Sequence, residues 1–216
     1  MSNALLEASV ADELQWDPKV DNQAIAVAAS GGTVTLRGTV GTFREKREAQ
    51  KATERVLGVQ HVNNDLKVRI LTGHGKKDAD LRGDVLQAMM LDSLVPSTVD
   101  VTVVDSYVTL QGKADWQYER MEAENVAGNV PGVVGVDNFI ELSTPLPTPD
   151  DVQGSISKAF KRNAKIDANG LTVITHDNTV ELEGTVRSWS EHDAAVATAW
   201  AAPGVLAVED RIQVAY

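Results

Sequence analysis

Four cations spaced for one face of a helix are the residues of this sequence best suited to bind a charged ligand. Arg44, Arg47, Lys51 and Arg55 recur every three or four residues, so a helix would carry them in one stripe. Such a stripe attracts anionic lipid headgroups, each cation contributing about 1 kcal/mol near a charged membrane. The acidic residues between them favour an alternative, a solvated helix face on which Glu48 pairs with Lys51. Both interpretations stay open at the level of sequence.

A second cluster of cations ends another predicted helix. Lys158, Lys161, Arg162 and Lys165 lie near the predicted carboxyl end of that helix. Cations in this position complement the helix dipole, which explains the cluster without any ligand.

The sequence contains no recognisable catalytic or metal-binding pattern. The four histidines, His61, His74, His176 and His192, include no pair at the i, i+4 spacing of a helical metal site, and we interpret them as solvent or loop residues. Residues 73–77 lack the spacing of a phosphate-binding loop. No nucleophile is matched with a base and an orienting acid. The sequence therefore predicts a protein that is not an enzyme and that holds neither a cofactor nor a metal.

The net charge of −11 is unevenly distributed along the chain. Residues 1–72 are neutral in total, whereas residues 80–143 carry −8. An acidic chain is repelled by phosphate backbones, so we expect no nucleic-acid partner. The acidic middle segment motivates an alternative function, a sensor of a small ligand or of a cation such as K⁺.

The amino-terminal residues lack the basic and apolar regions of a secretory signal. No segment approaches the roughly 18 apolar residues of a membrane-spanning helix. The chain also contains no cysteine. These features favour a cytoplasmic location.

The elements that position the candidate residues come from a motif that occurs three times. Residues 34–38, 108–112 and 180–184 alternate apolar and polar side chains and end in glycine, a pattern typical of a half-buried strand. A second glycine follows 20 residues later in each copy, and the copies are offset by 74 and then 72 residues. The six motif glycines are Gly38, Gly58, Gly112, Gly132, Gly184 and Gly204. This regular spacing predicts three copies of one structural unit.

Each copy predicts the order helix, strand, strand, helix, strand, which is an α+β sandwich with a three-stranded sheet and two helices on one face. Tight hairpin turns are expected at 31–32, 105–106 and 177–178, and the last strands at 65–71, 138–142 and 210–215. The apolar stripes of the first helices are Leu6, Val10 and Leu14; Leu81, Val85 and Met89; and Val152, Ile156 and Phe160. The stripes of the second helices are Ala49, Ala52 and Val56; Ala123, Val126 and Val130; and Ala195, Thr198 and Ala202.

The domain boundaries follow from the repeat. We predict domains at 1–72, 80–143 and 150–216, joined by linkers at 73–79 and 144–149. The second linker is rich in proline and is expected to be extended. Thr148 is the predicted N-cap of the third domain's first helix.

The pattern resembles the BON family, which is named for a bacterial osmotically induced protein and nodulation proteins. The glycine-ended strands and the closing motifs at 58–64 and 132–138 carry the resemblance, while the third copy departs from it at Glu209 and Asp210. The resemblance implies tandem αββαβ domains without catalytic activity, tied to osmotic and envelope stress and proposed to bind phospholipid surfaces. It also includes a cytoplasmic relative that binds potassium.

These observations predict a non-enzymatic, stress-associated binding or scaffold protein. Its expected partner is an anionic lipid surface or another protein, with the stripe from Arg44 to Arg55 as the binding residues. The alternative is a cytoplasmic sensor of a small ligand or of K⁺.

Overall fold

The computed structural model describes residues 2–69, 76–143 and 151–215, which we call repeats 1, 2 and 3. The chain divides into two compact units, and each is considered by itself below. Unit 1 comprises Met1–Ala114 and Tyr118–Glu141, and unit 2 comprises Asp115–Gln117 and Leu142–Tyr216. Residues 73–75 of the first predicted linker and all of the second, 144–149, lie outside the described residues. The prediction of Thr148 as an N-cap is wrong, because the first helix of repeat 3 begins at Val152 and is capped by Asp151, whose carboxylate accepts from the Gly154 amide.

Each repeat has the predicted order of elements. Repeat 1 contains α1 (Asn3–Trp16), β1 (Ile25–Ser30), β2 (Thr33–Val40), α2 (Phe43–Glu54) and β3 (His61–Val68). Repeat 2 contains α3 (Asp78–Met90), β4 (Asp100–Val104), β5 (Tyr107–Ala114), α4 (Gln117–Asn129) and β6 (Gly135–Leu142). Repeat 3 contains α5 (Val152–Arg162), β7 (Leu171–His176), β8 (Thr179–Val186), α6 (Trp189–Trp200) and β9 (Ala207–Val214). The predicted fold class, three tandem αββαβ domains, is confirmed.

The glycine-ended strand is the central strand of every sheet. The strand orders are β1-β2-β3, β4-β5-β6 and β7-β8-β9. In repeats 1 and 3 the hairpin partner is antiparallel to the central strand and the last strand is parallel to it. The intervening helix is therefore the crossover that a parallel pairing requires.

The last strands begin earlier than the sequence pattern predicted. β3 starts at His61 rather than at 65, and β9 starts at Ala207 rather than at 210. The parallel register explains the difference, because Thr33 at the start of β2 pairs with His61 and Thr179 at the start of β8 pairs with Ala207. The closing motif is thus the first half of a strand.

The core of each repeat lies between the sheet and its two helices. All nine predicted residues of the first-helix stripes are buried. In repeat 1 they pack with Val34 and Leu36 of the sheet and with Ala49 and Ala52 of α2. Because alanine occupies the inner face of the second helix, that helix lies close to the sheet.

The predicted apolar stripe of the second helix is wrong at one position in repeat 2 and at one position in repeat 3. Ala127 is buried in place of Val126, and Ala199 in place of Thr198. A helix of 3.6 residues per turn brings i and i+4 to the same face, so the residue four after Ala123 or Ala195 faces the sheet.

The glycine that ends the repeated motif lies two residues before the end of each central strand and is required by the backbone. Gly38, Gly112 and Gly184 have φ values of +129°, +134° and +136°. A Cβ atom on Gly38 would lie 1.9 Å from the Ala24 carbonyl oxygen, and one on Gly184 would lie 2.0 Å from the Gly170 carbonyl oxygen. Any side chain here would therefore clash with the backbone of the segment that precedes the neighbouring strand.

Candidate functional site

The helix that carries the predicted cationic stripe is fixed at its start by hydrogen bonds with two loops, the one before α2 and the one between α1 and β1. The hydroxyl of Thr42 caps α2 by accepting from the Glu45 amide at 3.1 Å. The Glu45 carboxylate accepts from the amides of Asp21 at 2.7 Å and Gly41 at 2.9 Å. Unpaired amides at a helix start favour such acceptors. Glu45 therefore anchors α2 to the loops around it.

Arg55 of the stripe binds the first helix of its own repeat. Its Nε donates to Glu13 Oε1 at 2.8 Å, and its Nη2 donates to Asp17 Oδ2 at 2.7 Å. The Asp17 side chain is only 6% exposed. A hydrogen bond from the Lys19 amide, together with the Arg55 guanidinium, lowers the pKa of Asp17 below its usual value. Arg55 thus joins α2 to the end of α1.

Lys51 faces a carboxylate that is already engaged. Glu48 binds Lys19 at 2.8 Å and lies 3.9 Å from Lys51. The hydrogen bond from Lys19 lowers the pKa of Glu48. The pairing of Glu48 with Lys51, the sequence-based alternative, is therefore present, at the long end of the ion-pair range.

Arg47 of the stripe lies against repeat 2. Its guanidinium donates to Asn125 Oδ1 at 2.9 Å and to Asn129 Oδ1 at 3.1 Å, both on α4. The guanidinium carbon stands 5.5 Å from the centroid of the Phe43 ring. Burial lowers the pKa of Arg47. This residue helps to hold repeats 1 and 2 together within unit 1.

Gly128 of α4 makes that approach possible. A Cβ atom at this position would lie 2.9 Å from Cδ1 of Phe43. Without one, the aromatic ring at the start of α2 packs directly over the α4 backbone. The α2–α4 contact therefore combines a small residue on one helix with an aromatic ring and a guanidinium on the other.

The four predicted stripe residues are thus not equivalent. Arg44 is exposed, and Lys51 is exposed beside Glu48. Arg47 and Arg55 are held by partners on α4 and α1. Two of the four cations remain accessible for binding an external ligand.

The cluster at the end of α5 has a different environment. The four side chains Lys158, Lys161, Arg162 and Lys165 are all exposed. None of them forms an ion pair with any residue of the described ranges. The helix dipole favours cations at this position. The partners that bind cations elsewhere in the chain come from distant segments, so the local sequence pattern does not show which cations are paired.

His192 departs from the prediction of solvent-exposed or loop histidines. Its Nε2 lies 2.7 Å from Asp210 Oδ2 and its Nδ1 lies 3.1 Å from Asp193 Oδ1, with the side chain 13% exposed. The hydrogen bond to Asp193, assisted by the charge of Asp210, raises the pKa of His192. The ring also contacts Trp189 edge-on at 4.9 Å between centroids.

His192 compensates for a change in the closing motif of repeat 3. In repeats 1 and 2 the side-chain Nδ2 atoms of Asn64 and Asn138 donate to the backbone carbonyl oxygens of Lys46 and Arg120, each at 2.8 Å. Repeat 3 has Asp210 at the same place, which has no donor, and His192 stands where the other repeats have Lys46 and Arg120. An imidazole that carries a proton on Nε2 donates to Asp210 and restores the link between helix and strand. In the sequence, this pair is indicated only by Asp210, which stands where the other two motifs have asparagine.

The described residues contain no group of three or more His, Asp or Glu side chains placed to hold a metal ion. Among the helices of the described ranges, none has the length and apolar character needed to cross a membrane.

Comparison with known proteins identifies the family of the chain and a related protein. The model of the BON domain family matches residues 2–70, 77–144 and 149–216. The osmotically-inducible protein Y of Escherichia coli (strain K12) is 30% identical over 146 residues, which are 65% of this chain and 73% of that protein.

Two solved structures of CdsD, a structural protein of the type III secretion system of Chlamydia trachomatis, were also matched. One covers all of this chain and all of its own, at 11% identity and a TM-score of 0.28. The other covers 95% of this chain and 90% of its own, at 12% identity and a TM-score of 0.26. Scores this low support no inference about this chain.

Proposed function

The chain belongs to the BON domain family, and we propose that it is a non-catalytic, stress-associated binding or scaffold protein that contacts anionic phospholipid surfaces. The name of the related osmotically-inducible protein Y supports the link to osmotic stress. The cytoplasmic location inferred from the sequence stays a prediction.

The observation that carries the surface-binding proposal is the cationic end of α5. Lys158, Lys161, Arg162 and Lys165 extend into solvent within about two turns of one another, with no carboxylate paired to them in the described ranges. Each such cation gains about 1 kcal/mol beside an anionic leaflet, and the gain falls off beyond a Debye length. A local basic face can therefore outweigh the repulsion of the acidic chain as a whole.

The predicted stripe on α2 remains part of the proposal in reduced form. Arg44 and Lys51 are its accessible members, so their contribution to surface binding is smaller than that of α5. Arg47 and Arg55 act in packing and are unsuitable for a charge-reversal test, because their loss would leave polar partners without a donor.

Co-sedimentation with vesicles tests the proposal. We expect the full chain to bind vesicles containing phosphatidylglycerol, to ignore phosphatidylcholine vesicles, and to be released by salt. Reversal of two charges in Lys158→Glu/Lys161→Glu should lower the affinity about tenfold or more, and Arg44→Glu/Lys51→Glu should lower it less. Absence of binding to either vesicle at low salt rejects the lipid surface as the partner.

The alternative, a sensor of K⁺, rests on the charge of −8 in residues 80–143. Backbone carbonyls are the usual ligands of K⁺. A ligand that binds the folded chain raises its melting temperature by mass action. A melting temperature that is equal in KCl and NaCl at matched ionic strength rejects this alternative.

A further inference from the structure

Repeat 3 has an open groove between its two helices. The groove has a volume of about 610 Å³ and is lined by both α5 and α6. Its apolar lining is mainly alanine, with Ala159 on α5 and Ala194, Ala197 and Ala201 on or just after α6. Arg162 and Lys165 also line it. A groove of this size falls in the range of small-molecule sites.

The same groove is filled in repeat 1. The two repeats align at a constant offset, since α2 spans Phe43–Glu54 and α6 spans Trp189–Trp200. The buried stripe of α1 aligns with that of α5 at the same offset. The positions of Ala159, Ala194, Ala197 and Ala201 are occupied in repeat 1 by Glu13, Glu48, Lys51 and Arg55.

Repeat 3 has alanines where repeat 1 has the carboxylates of Glu13 and Glu48. In repeat 1, Lys19 binds the carboxylate of Glu48 at 2.8 Å. Its counterpart Lys165 is retained, but Ala194 stands where Glu48 would be. Arg162 is a second cation in the lining of the groove. Both cations are exposed and form no ion pair in the described part of the chain.

We propose that this groove binds a small amphiphilic carboxylate. The carboxylate of the ligand takes the place that Glu48 occupies in repeat 1 and binds Lys165 and Arg162. Its apolar body lies over the alanine side chains between α5 and α6. Charge-assisted hydrogen bonds orient the ligand, and removal of apolar surface from water adds to the affinity. The site shares Arg162 and Lys165 with the proposed lipid contact, whereas Lys158 and Lys161 belong to the lipid contact alone.

Titration of the full chain with octanoate tests the site. We expect saturable shifts of the backbone amide signals of residues 155–165 and 194–203, with a dissociation constant of about 1 mM or lower. Octanol lacks the charge and octyltrimethylammonium has the opposite one, so both should bind at least tenfold more weakly.

Three substitutions locate the ligand. Ala194→Glu recreates the pair seen between Lys19 and Glu48 and should weaken octanoate binding at least tenfold. Lys165→Gln should weaken it about fivefold. Lys158→Gln alters an exposed cation that does not line the groove and should leave octanoate binding unchanged. Because residue 194 is only partly buried and lies on an open groove, all three variants should keep the dispersed amide spectrum of the folded chain.

Several results would overturn the proposal. These are no saturable shift with octanoate, equal binding of the octyltrimethylammonium ion, or unchanged affinity of the Ala194→Glu variant. Failure of vesicle binding has no bearing on this outcome, since octanoate is titrated without vesicles. The Lys158→Glu/Lys161→Glu variant should weaken vesicle binding but retain octanoate binding, which would show that the two ligands differ in their dependence on Lys158 and Lys161.

Discussion

Repeats 1 and 3 contain the same pair of helices on the same sheet but use the outer side of that pair differently. In repeat 1 the charged side chains of Glu13, Lys19, Glu48 and Arg55 close the space between α1 and α2. In repeat 3, alanines occupy three of these four positions, and a groove remains between α5 and α6. The comparison shows that the fold depends on the buried stripes, while the outer positions are free to change.

Repeat 2 provides a third use of the same positions. Asn125 and Asn129 align with Lys51 and Arg55, and both accept hydrogen bonds from Arg47 of repeat 1. One helix face therefore serves for ion pairs within a repeat, for contact with a neighbouring repeat, or for an open groove. The three repeats thus share their buried first-helix stripes and differ at these outer positions.

The largest expected loss of stability follows from substitution of the central-strand glycine that repeats 1 and 3 share. Gly38→Ala and Gly184→Ala should each destabilise their own repeat by about 3 kcal/mol or more, because positive φ and a clash with a carbonyl oxygen combine. Amide hydrogen exchange resolves the effect by repeat. Gly83→Ala is the matched control, since it lies in α3 with open space around it and should be neutral or slightly stabilising. Equal protection in wild type and both strand variants would contradict the account.

A smaller effect separates the two helix pairs. Arg55→Ala should cost repeat 1 about 1–2 kcal/mol, because the carboxylate of Asp17 loses its guanidinium partner in a nearly buried place. Ala201→Arg at the aligned position of repeat 3 should change stability by about 0.5 kcal/mol or less, as expected for an exposed surface position. Denaturant unfolding followed by amide exchange measures both. Similar losses in the two variants would remove the distinction between the repeats.

Protonation of His192 makes repeat 3 sensitive to pH. Since contact with Asp193 and Asp210 raises its pKa in the folded state, this contribution to stability is complete below the unfolded pKa of about 6.5 and is lost as pH rises through the folded pKa. We expect a loss of about 0.5–1 kcal/mol, measured as faster amide exchange in β9 and α6 at high pH after correction for intrinsic rates.

Asp210→Asn is the matched control for this prediction. It restores the residue that repeats 1 and 2 have at the position, and with it a donor to the helix carbonyl. The pH dependence of repeat 3 should then shrink. A variant whose pH dependence equals that of the wild type would show that Asp210 does not contribute to it.

The smallest effect is expected for Lys51→Ala. The 3.9 Å separation from Glu48 and the exposed lysine limit the pair to about 0.5 kcal/mol or less, and Glu48 keeps Lys19 at 2.8 Å. A loss as large as that of Arg55→Ala would mean that the charged cluster of repeat 1 acts as a single network.

The sequence was sufficient for the fold because its evidence is local and repeated. The spacing of Leu6, Val10 and Leu14 predicts a buried helix face, and the recurring glycine marks a strand position that only glycine fits. Three copies of each pattern reduce the chance of coincidence. The start of β3 was missed because strand length is set by pairing with β2, which lies 28 residues away in sequence.

The sequence was insufficient for the candidate site because ion pairs depend on distant residues. Arg47 and Arg55 have the spacing of an exposed stripe, yet their partners Asn125 and Asp17 are 78 and 38 residues away. The cations of α5 have no such partners in the described ranges, and no local pattern distinguishes the two groups. Helix spacing therefore located the cations but did not indicate which were available.

The most direct test of the account is hydrogen–deuterium exchange of the full chain with and without vesicles containing phosphatidylglycerol. The central claim is that an anionic surface meets the end of α5 in repeat 3 more closely than α2 in repeat 1. The account predicts added protection in residues 157–165 and little change in residues 43–55. Protection confined to 43–55, or bound vesicles with no protection at 157–165, would contradict it.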